Sequence, residues 1–256
     1  MIEITLEQKI NSKKQLNKKG FAILRNSISK ELIEKIQLEV LKFSWGNIGN
    51  AEVNLIHTKK KSILSSAHNL VSSIEIFNYL YRNRNFLDFY KFALNSEINK
   101  NEKINSSYFF KAEESKEIKI HQDNAYFNLL SGIDCLTFYI PVHRQNKKSG
   151  TIFYYSGSHS LGQLRHLPEG NLGASMCLDK TLELRKLRNF KIEYINLYPG
   201  DLVVHNAYVV HGTLPNPKNV LCEAFNFTLF GKSNKQDLIK YKKYRALLKN
   251  YLSDKN

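Results

Sequence analysis

The stretch "KIHQDNAYF", Lys119 to Phe127, sets a histidine and an aspartate two residues apart in an apolar, strand-like run. Side chains two apart in a strand point to the same face. His121 and Asp123 are therefore expected to converge on one point, which is costly inside a sheet unless something occupies it. A divalent metal ion meets that need. A second element lies in "YPGDLVVHNAYVVHGTLPN", where Pro199-Gly200-Asp201 turns into a strand carrying His205 and His211. Two imidazoles and one carboxylate, with other coordination positions open, form the facial arrangement of non-haem Fe(II) oxygenases.

The surroundings of both motifs read as β-structure. From about residue 106 the chain breaks into short alternating runs bounded by Gly, Asn and Ser: "SSYFFKA", "IKIHQD", "DCLTFYIPV", "GTIFYYSGSHS", "FKIEYINLYPGDLVVHNAYVVHGT" and "LCEAFNFTLFG". Before them, "GFAILRNSISKELIEKIQLEVLKF" reads as a strand at Phe21 to Leu24, then a helix capped by Ser29, with Leu32, Ile33, Ile36, Val40 and Leu41 at helical spacing. "SSIEIFNYLYRNRNFLDFYKFALN" continues in helical style, with Ile76, Tyr79, Leu80, Phe86 and Tyr90 as core candidates. The end, "DLIKYKKYRALLKNYL", is a basic amphipathic helix with Leu238, Tyr241, Leu248 and Tyr251 on one stripe. The expected organisation is one domain over residues 1–256. Helices occupy about 1–105, a closed or double-layered β core about 106–231, and a C-terminal helix about 235–252.

Composition narrows the classes. A 256-residue chain that is 42% hydrophobic is long enough for a sizeable core. The opening "MIEITLEQKINSKKQLNKKG" has no apolar run between its charges, which speaks against a secretory signal, and no segment approaches the roughly 18 apolar residues of a membrane span. Cys135, Cys177 and Cys222 are neither clustered nor spaced as a framework, so the expected compartment is the reducing cytoplasm. The net charge of +15 comes mainly from dispersed lysines, and no helix-turn-helix, zinc-finger or RNA-stacking motif is present, so nucleic acid is not the expected partner.

Taken in order, these landmarks resemble the phytanoyl-CoA dioxygenase family of Fe(II)- and 2-oxoglutarate-dependent oxygenases. "KKGFAILRNSISKELIEKI" matches the family's first strand and helix, "HQDNAYF" its first two ligands, "SGTIFYYSGSHSLG" its glycine-led strand and Gly-Ser-His loop, and "PGDLVVHNAYVVHGTLPN" the strand bearing the last ligand. His211 follows Asp123 by 88 residues, a spacing that suits the family. The resemblance covers roughly residues 18–231. It implies a mostly β fold with flanking helices, a cupin-like double-stranded β-helix (jelly roll). It also implies Fe(II) held by His121, Asp123 and His211, with 2-oxoglutarate and O₂ as co-substrates. A retained Asp123 implies hydroxylation, because halogenating relatives replace that carboxylate with a small residue.

One position departs from the pattern. The family anchors the far carboxylate of 2-oxoglutarate with an arginine about eleven residues past the last histidine, where this chain has Cys222. Alternation puts Cys222, Ala224, Asn226 and Thr228 on the cavity face and Phe225, Phe227 and Leu229 on the other. Lys111 is the expected substitute, with Thr213 and Tyr139 adding hydroxyls and Arg144 and Lys218 as further candidates. His159 reads as structural or mouth-lining, and His205 as either a core histidine or a group beside the metal. The expected partner is a small molecule. An anionic handle on it would suit the basic residues Lys148, Arg165, Lys180, Arg185, Lys186 and Arg188 around the 162–189 insert. Competing readings are a cupin-like metal enzyme that does not use 2-oxoglutarate, favoured by the missing arginine, and a non-catalytic binding module.

Overall fold

The computed structural model describes residues 1–41, 52–57, 62–99, 105–111, 117–130, 133–171, 174–216, 220–232 and 234–253. The opening residues form a helix, α1 (Leu6–Lys19), started by a capping box in which Thr5 and Gln8 bond each other's backbone. It stops at Gly20, whose left-handed φ of 82° turns the chain into strand β1 (Phe21–Leu24). Helix α2 (Lys30–Leu41) follows, with Ser29 accepting the Leu32 N–H. Leu32, Ile33, Ile36 and Val40 are buried as their spacing predicts, whereas Leu41 is exposed.

The region read as helical also contains a hairpin, β2 (Glu52–His57) and β3 (Ser62–His68), ahead of α3 (Glu75–Tyr81) and α4 (Arg84–Leu94). Because α3 ends before α4 begins, the two do not share one helical phase. Phe77, Leu80, Phe86, Phe89 and Tyr90 face the core, while Tyr79 is about half exposed. The β core then runs β4 (Asn105–Lys111), a short helix α5 (Asn124–Phe127), β5 (Cys135–Pro141) and β6 (Ile152–Tyr155). The 162–189 insert is not an open loop. It holds the hairpin β7 (His166–Asn171) and β8 (Ala174–Leu178), then α6 (Lys180–Leu187) capped by Asp179. The remaining strands are β9 (Ile192–Tyr194), β10 (Leu202–Asn206), β11 (His211–Thr213) and β12 (Cys222–Phe230), followed by α7 (Leu238–Ser253). No helix among the described residues is long and apolar enough to cross a membrane.

Seven strands form one antiparallel sheet in the order β1-β10-β5-β12-β4-β3-β2, and β11-β6-β9 form a smaller sheet. The outer face of the large sheet carries Phe138, Ile140, Val204, Phe225 and Phe227, packed with α2, α3 and α4 in the main core. Phe77 stacks on Phe225 at 4.3 Å, and Phe138 lies parallel to Phe227 at 5.0 Å. The inner face meets the small sheet through Phe21, Tyr139, Val203 and Ala224 against Ile152 and Tyr154. The outer face is apolar and the inner face mixes apolar with polar residues such as Thr137, His205, Asn226 and Thr228, which fits the alternation read from the sequence. The result is a double-stranded β-helix. Cys222, Ala224, Asn226 and Thr228 do lie on the inner face, as alternation predicts.

Candidate metal centre

His121 and His211 come from distant parts of the chain and face each other across a single β-bridge. The His121 N–H donates to the His211 carbonyl at 2.9 Å, and the His211 N–H returns the bond at 3.0 Å. Each imidazole donates Nδ1–H to a carbonyl two residues earlier, His121 to Lys119 (2.7 Å) and His211 to Val209 (3.1 Å). Both Nε2 lone pairs are thereby aimed at Asp123, whose Oδ1 lies 3.8 Å from His121 and 3.5 Å from His211. One ligand atom from each of the three falls within 4.8 Å of the others, the only such cluster among the described residues.

The origin of the convergence differs from the sequence reading. Asp123 is not on a strand. With φ −59° and ψ −33° it has already turned into the cap of α5, and this bend swings its carboxylate back between the two imidazoles. Nor do His205 and His211 share a strand. The chain leaves the large sheet after Asn206 and re-enters the small one at His211. Gly212 makes the close approach possible, because a Cβ there would sit 2.9 Å from the Ile118 carbonyl.

The second carboxylate oxygen is held independently. Asp123 Oδ2 accepts the Thr137 hydroxyl at 2.6 Å and His205 Nε2–H at 3.0 Å. Thr137 has one proton and gives it to Asp123, so Thr228, 3.0 Å away, must donate to Thr137. With Nε2–H committed to the carboxylate, His205 Nδ1 meets the Tyr154 hydroxyl, 2.9 Å away. Burial would raise the Asp123 carboxyl, but the His205 hydrogen bond and the three imidazoles outweigh it and hold it well below the usual carboxylate range. Burial lowers His121 and, more strongly, His211, so both present neutral lone pairs. Two neutral imidazoles and an ionised carboxylate, each braced on its far side, fit a first-row divalent ion such as Fe(II).

His205 and its partners therefore orient a ligand and are not ligands themselves. His205→Leu is expected to weaken Co(II) binding by about 10–100-fold, as loss of an outer-shell partner typically does, and Thr137→Val to act in the same direction. Chelator-competition titration measures this. Wild-type affinity in both variants would show that Asp123 needs neither partner.

The other residues named from sequence fall in distinct places. Tyr139 lies on the inner face, but its hydroxyl proton goes to Gln145 Oε1 at 2.8 Å, and burial pushes the phenol up. Thr213 accepts the Ile118 N–H at 2.9 Å and keeps its own proton to donate. Cys222 is buried, with the Cα of Lys111 directly opposite it in the β4–β12 register. The Lys111 side chain and Lys218 lie outside the described residues. Arg144 is exposed and stands over the Tyr198 ring, 5.3 Å from its centroid. His159 bonds the Asn17 carbonyl and packs on Gly20, away from the three ligands. Within the basic cluster, Arg165 pairs with Asp179 at 3.3 Å and Lys186 with Glu183 at 2.7 Å.

Sequence reasoning passed over Gln122 and His166. Gln122, fully buried, donates its amide to the Gly162 and Tyr208 carbonyls and accepts Leu164 N–H at 2.7 Å. His166 accepts the Gln122 N–H at Nε2, and burial brings its pKa down to about 4, so it stays neutral in that role. Together they lock the ligand loop to the 162–166 segment. A polar residue between two ligands in an otherwise apolar run was the available signal.

Comparison with known proteins agrees with this geometry. The family model described as Phytanoyl-CoA dioxygenase (PhyH) matches residues 16–218. No curated protein matches the sequence. Solved structures that share the fold include EctD from S. alaskensis with 2-oxoglutarate and 5-hydroxyectoine, at a TM-score of 0.71 and 14% identity, over 91% of this chain and 78% of that one. AviO1 from Streptomyces viridochromogenes Tue57 superposes at a TM-score of 0.66 and 14% identity, over 89% and 96%. The non-heme alpha ketoglutarate dependent epimerase SnoN from nogalamycin biosynthesis does so at 0.68 and 12%, over 90% and 85%. With a family match over most of its length and a His-Asp-His centre in place, the chain belongs to the phytanoyl-CoA dioxygenase family of Fe(II)- and 2-oxoglutarate-dependent oxygenases.

Proposed function

We propose that this protein is a hydroxylase acting on an unactivated C–H bond of a small or carrier-linked metabolite. The observation that carries the reading is Asp123, whose Oδ1 faces both imidazoles while Oδ2 is fixed by Thr137 and His205. When bound, Fe(II) with 2-oxoglutarate and O₂ supplies oxidising power for C–H cleavage, 2-oxoglutarate leaving as succinate and CO₂. The chain's own part is to hold three ligands on one side and leave the other side for co-substrate and substrate. Lys111, opposite Cys222, is proposed to hold the far carboxylate of 2-oxoglutarate, with Thr213 donating a hydroxyl and Tyr139 walling the cavity. The cytoplasm is the proposed location, supported by three cysteines of which none forms a disulfide.

The test is anaerobic addition of Fe(II) and 2-oxoglutarate, with a weak visible metal-to-ligand band expected. Metal binding without that band would instead favour the cupin-like reading, for which the buried Cys222 speaks. The outcome of turnover follows from Asp123. The unmodified protein is expected to form no chlorinated product in chloride buffer, and Asp123→Gly to lose hydroxylation. A chlorinated product from the unmodified protein would refute the assignment. Exposed Lys180, Arg185 and Arg188 support an anionic handle on the substrate, a reading that a KM insensitive to ionic strength would remove.

A further inference from the structure

The inner face of the large sheet continues past the metal ligands, and its polar groups are not all spent on the protein. Register places Asn105 opposite Thr228, and Asn226 between Ser107 and Tyr139, so both asparagines share the face of Thr137 and Thr228. Phe109, opposite Ala224, and His68, opposite Ser107, extend the same face. Most of this wall is closed: Ser66, Ser107, Thr137, Ala224 and Thr228 are buried. Asn105, Asn226, Phe109 and His68 are partly open.

These four present a particular chemistry. His68 is held upright by the hydroxyls of Ser66 (3.0 Å) and Ser107 (2.7 Å), and Phe109 meets it edge-on with centroids 6.1 Å apart. Neither the Asn105 nor the Asn226 carboxamide makes a hydrogen bond to a described residue. Register places Lys111, opposite Cys222, two positions beyond Phe109 on this face, where the proposed reaction assigns it to 2-oxoglutarate. Strand geometry puts the Asn105 Cα about 5 Å and the Asn226 Cα about 7 Å from that of Thr228. Thr228 is joined through Thr137 to Asp123, so both amides flank the hydroxyl chain that ends at the candidate metal ligands.

We infer that Asn105 and Asn226 are the substrate-recognising groups and that they take a hydroxyl-rich ring, such as a glycosyl unit, laid against Phe109. Each carboxamide offers a carbonyl acceptor and two N–H donors in one plane, matched to neighbouring hydroxyls that both donate and accept. The π face of Phe109 suits the C–H face of such a ring. An acyl chain would leave both amides unpaired. The inference rests on the proposed iron- and 2-oxoglutarate-dependent reaction and names the substrate class of that same site. An anionic handle, if the substrate carries one, lies beyond this wall.

The test uses the full chain loaded with Co(II), with and without 2-oxoglutarate. Saturation-transfer NMR is run on a panel of methyl hexopyranosides, a butyryl thioester and an N-acetyl amino-acid amide. Methyl glycosides are expected to bind and to be broadened by the paramagnetic Co(II). Asn105→Leu and Asn226→Leu are each expected to weaken them about tenfold, the value of one hydrogen bond of ordinary strength. Asn226→Ser, smaller and still polar, serves if the leucine variant does not fold. The inference is overturned if no glycoside binds to protein that binds 2-oxoglutarate. It is equally overturned if the thioester or amide is preferred, or if the variants bind glycoside like the wild type. Absent 2-oxoglutarate binding removes the parent reading, while broadening of a glycoside by Co(II) alone still supports this wall.

Discussion

Replacing His211 with alanine is expected to lower Fe(II) or Co(II) affinity by more than about 100-fold, beyond the range seen for outer-shell losses. The fold should survive the change, because the bridge between His211 and His121 is made by backbone groups that alanine retains. What disappears is one of three donors, at a position where Val209 fixes the ring's tautomer and Gly212 lets the strand close on the ligand loop. The remaining pair, His121 and Asp123, cannot enclose an ion on three sides. A His211→Ala protein that titrates with Co(II) like the wild type, at unchanged melting temperature, would mean that the ion sits elsewhere.

Lys111→Met is expected to weaken 2-oxoglutarate binding by roughly 10- to 150-fold, the value of one hydrogen bond to a charged group. The reasoning starts from Cys222, a buried thiol where the family places its arginine. A carboxylate brought to that position without a cation would be left unpaired in the interior. The β4–β12 register sets Lys111 directly opposite, and residues directly opposite in an antiparallel pair share a face. An ammonium is a point charge without the guanidinium fork, so wild-type binding should itself be looser than an arginine would give. Adding Cys222→Arg to Lys111→Met should recover part of the loss. Calorimetry on the wild type, Lys111→Met and the double variant decides the matter. Undiminished binding by Lys111→Met would remove Lys111 as the anchor and leave Lys218 to be tested, since Arg144 is engaged with Tyr198 at the surface.

The sequence alone determined which residues are chemically fit for the site and which face of the 222–229 segment turns inward. His121, Asp123 and His211 stood out because imidazole and carboxylate are expensive in apolar runs, and the inner face of β12 followed from alternation, a local property of any strand. The start of α1 at Thr5 and Gln8 went unread, although a capping box is written in four consecutive residues. Tertiary structure alone decided how the three ligands meet. Asp123 reaches the imidazoles through a turn into α5, and His205 and His211 part company because the chain changes sheets between them. The same holds for the bonds from Thr137 and His205 to Asp123, which join residues 14 and 82 positions apart. Such contacts leave no periodic trace in the sequence, because each is fixed by the register of strands that pair far along the chain.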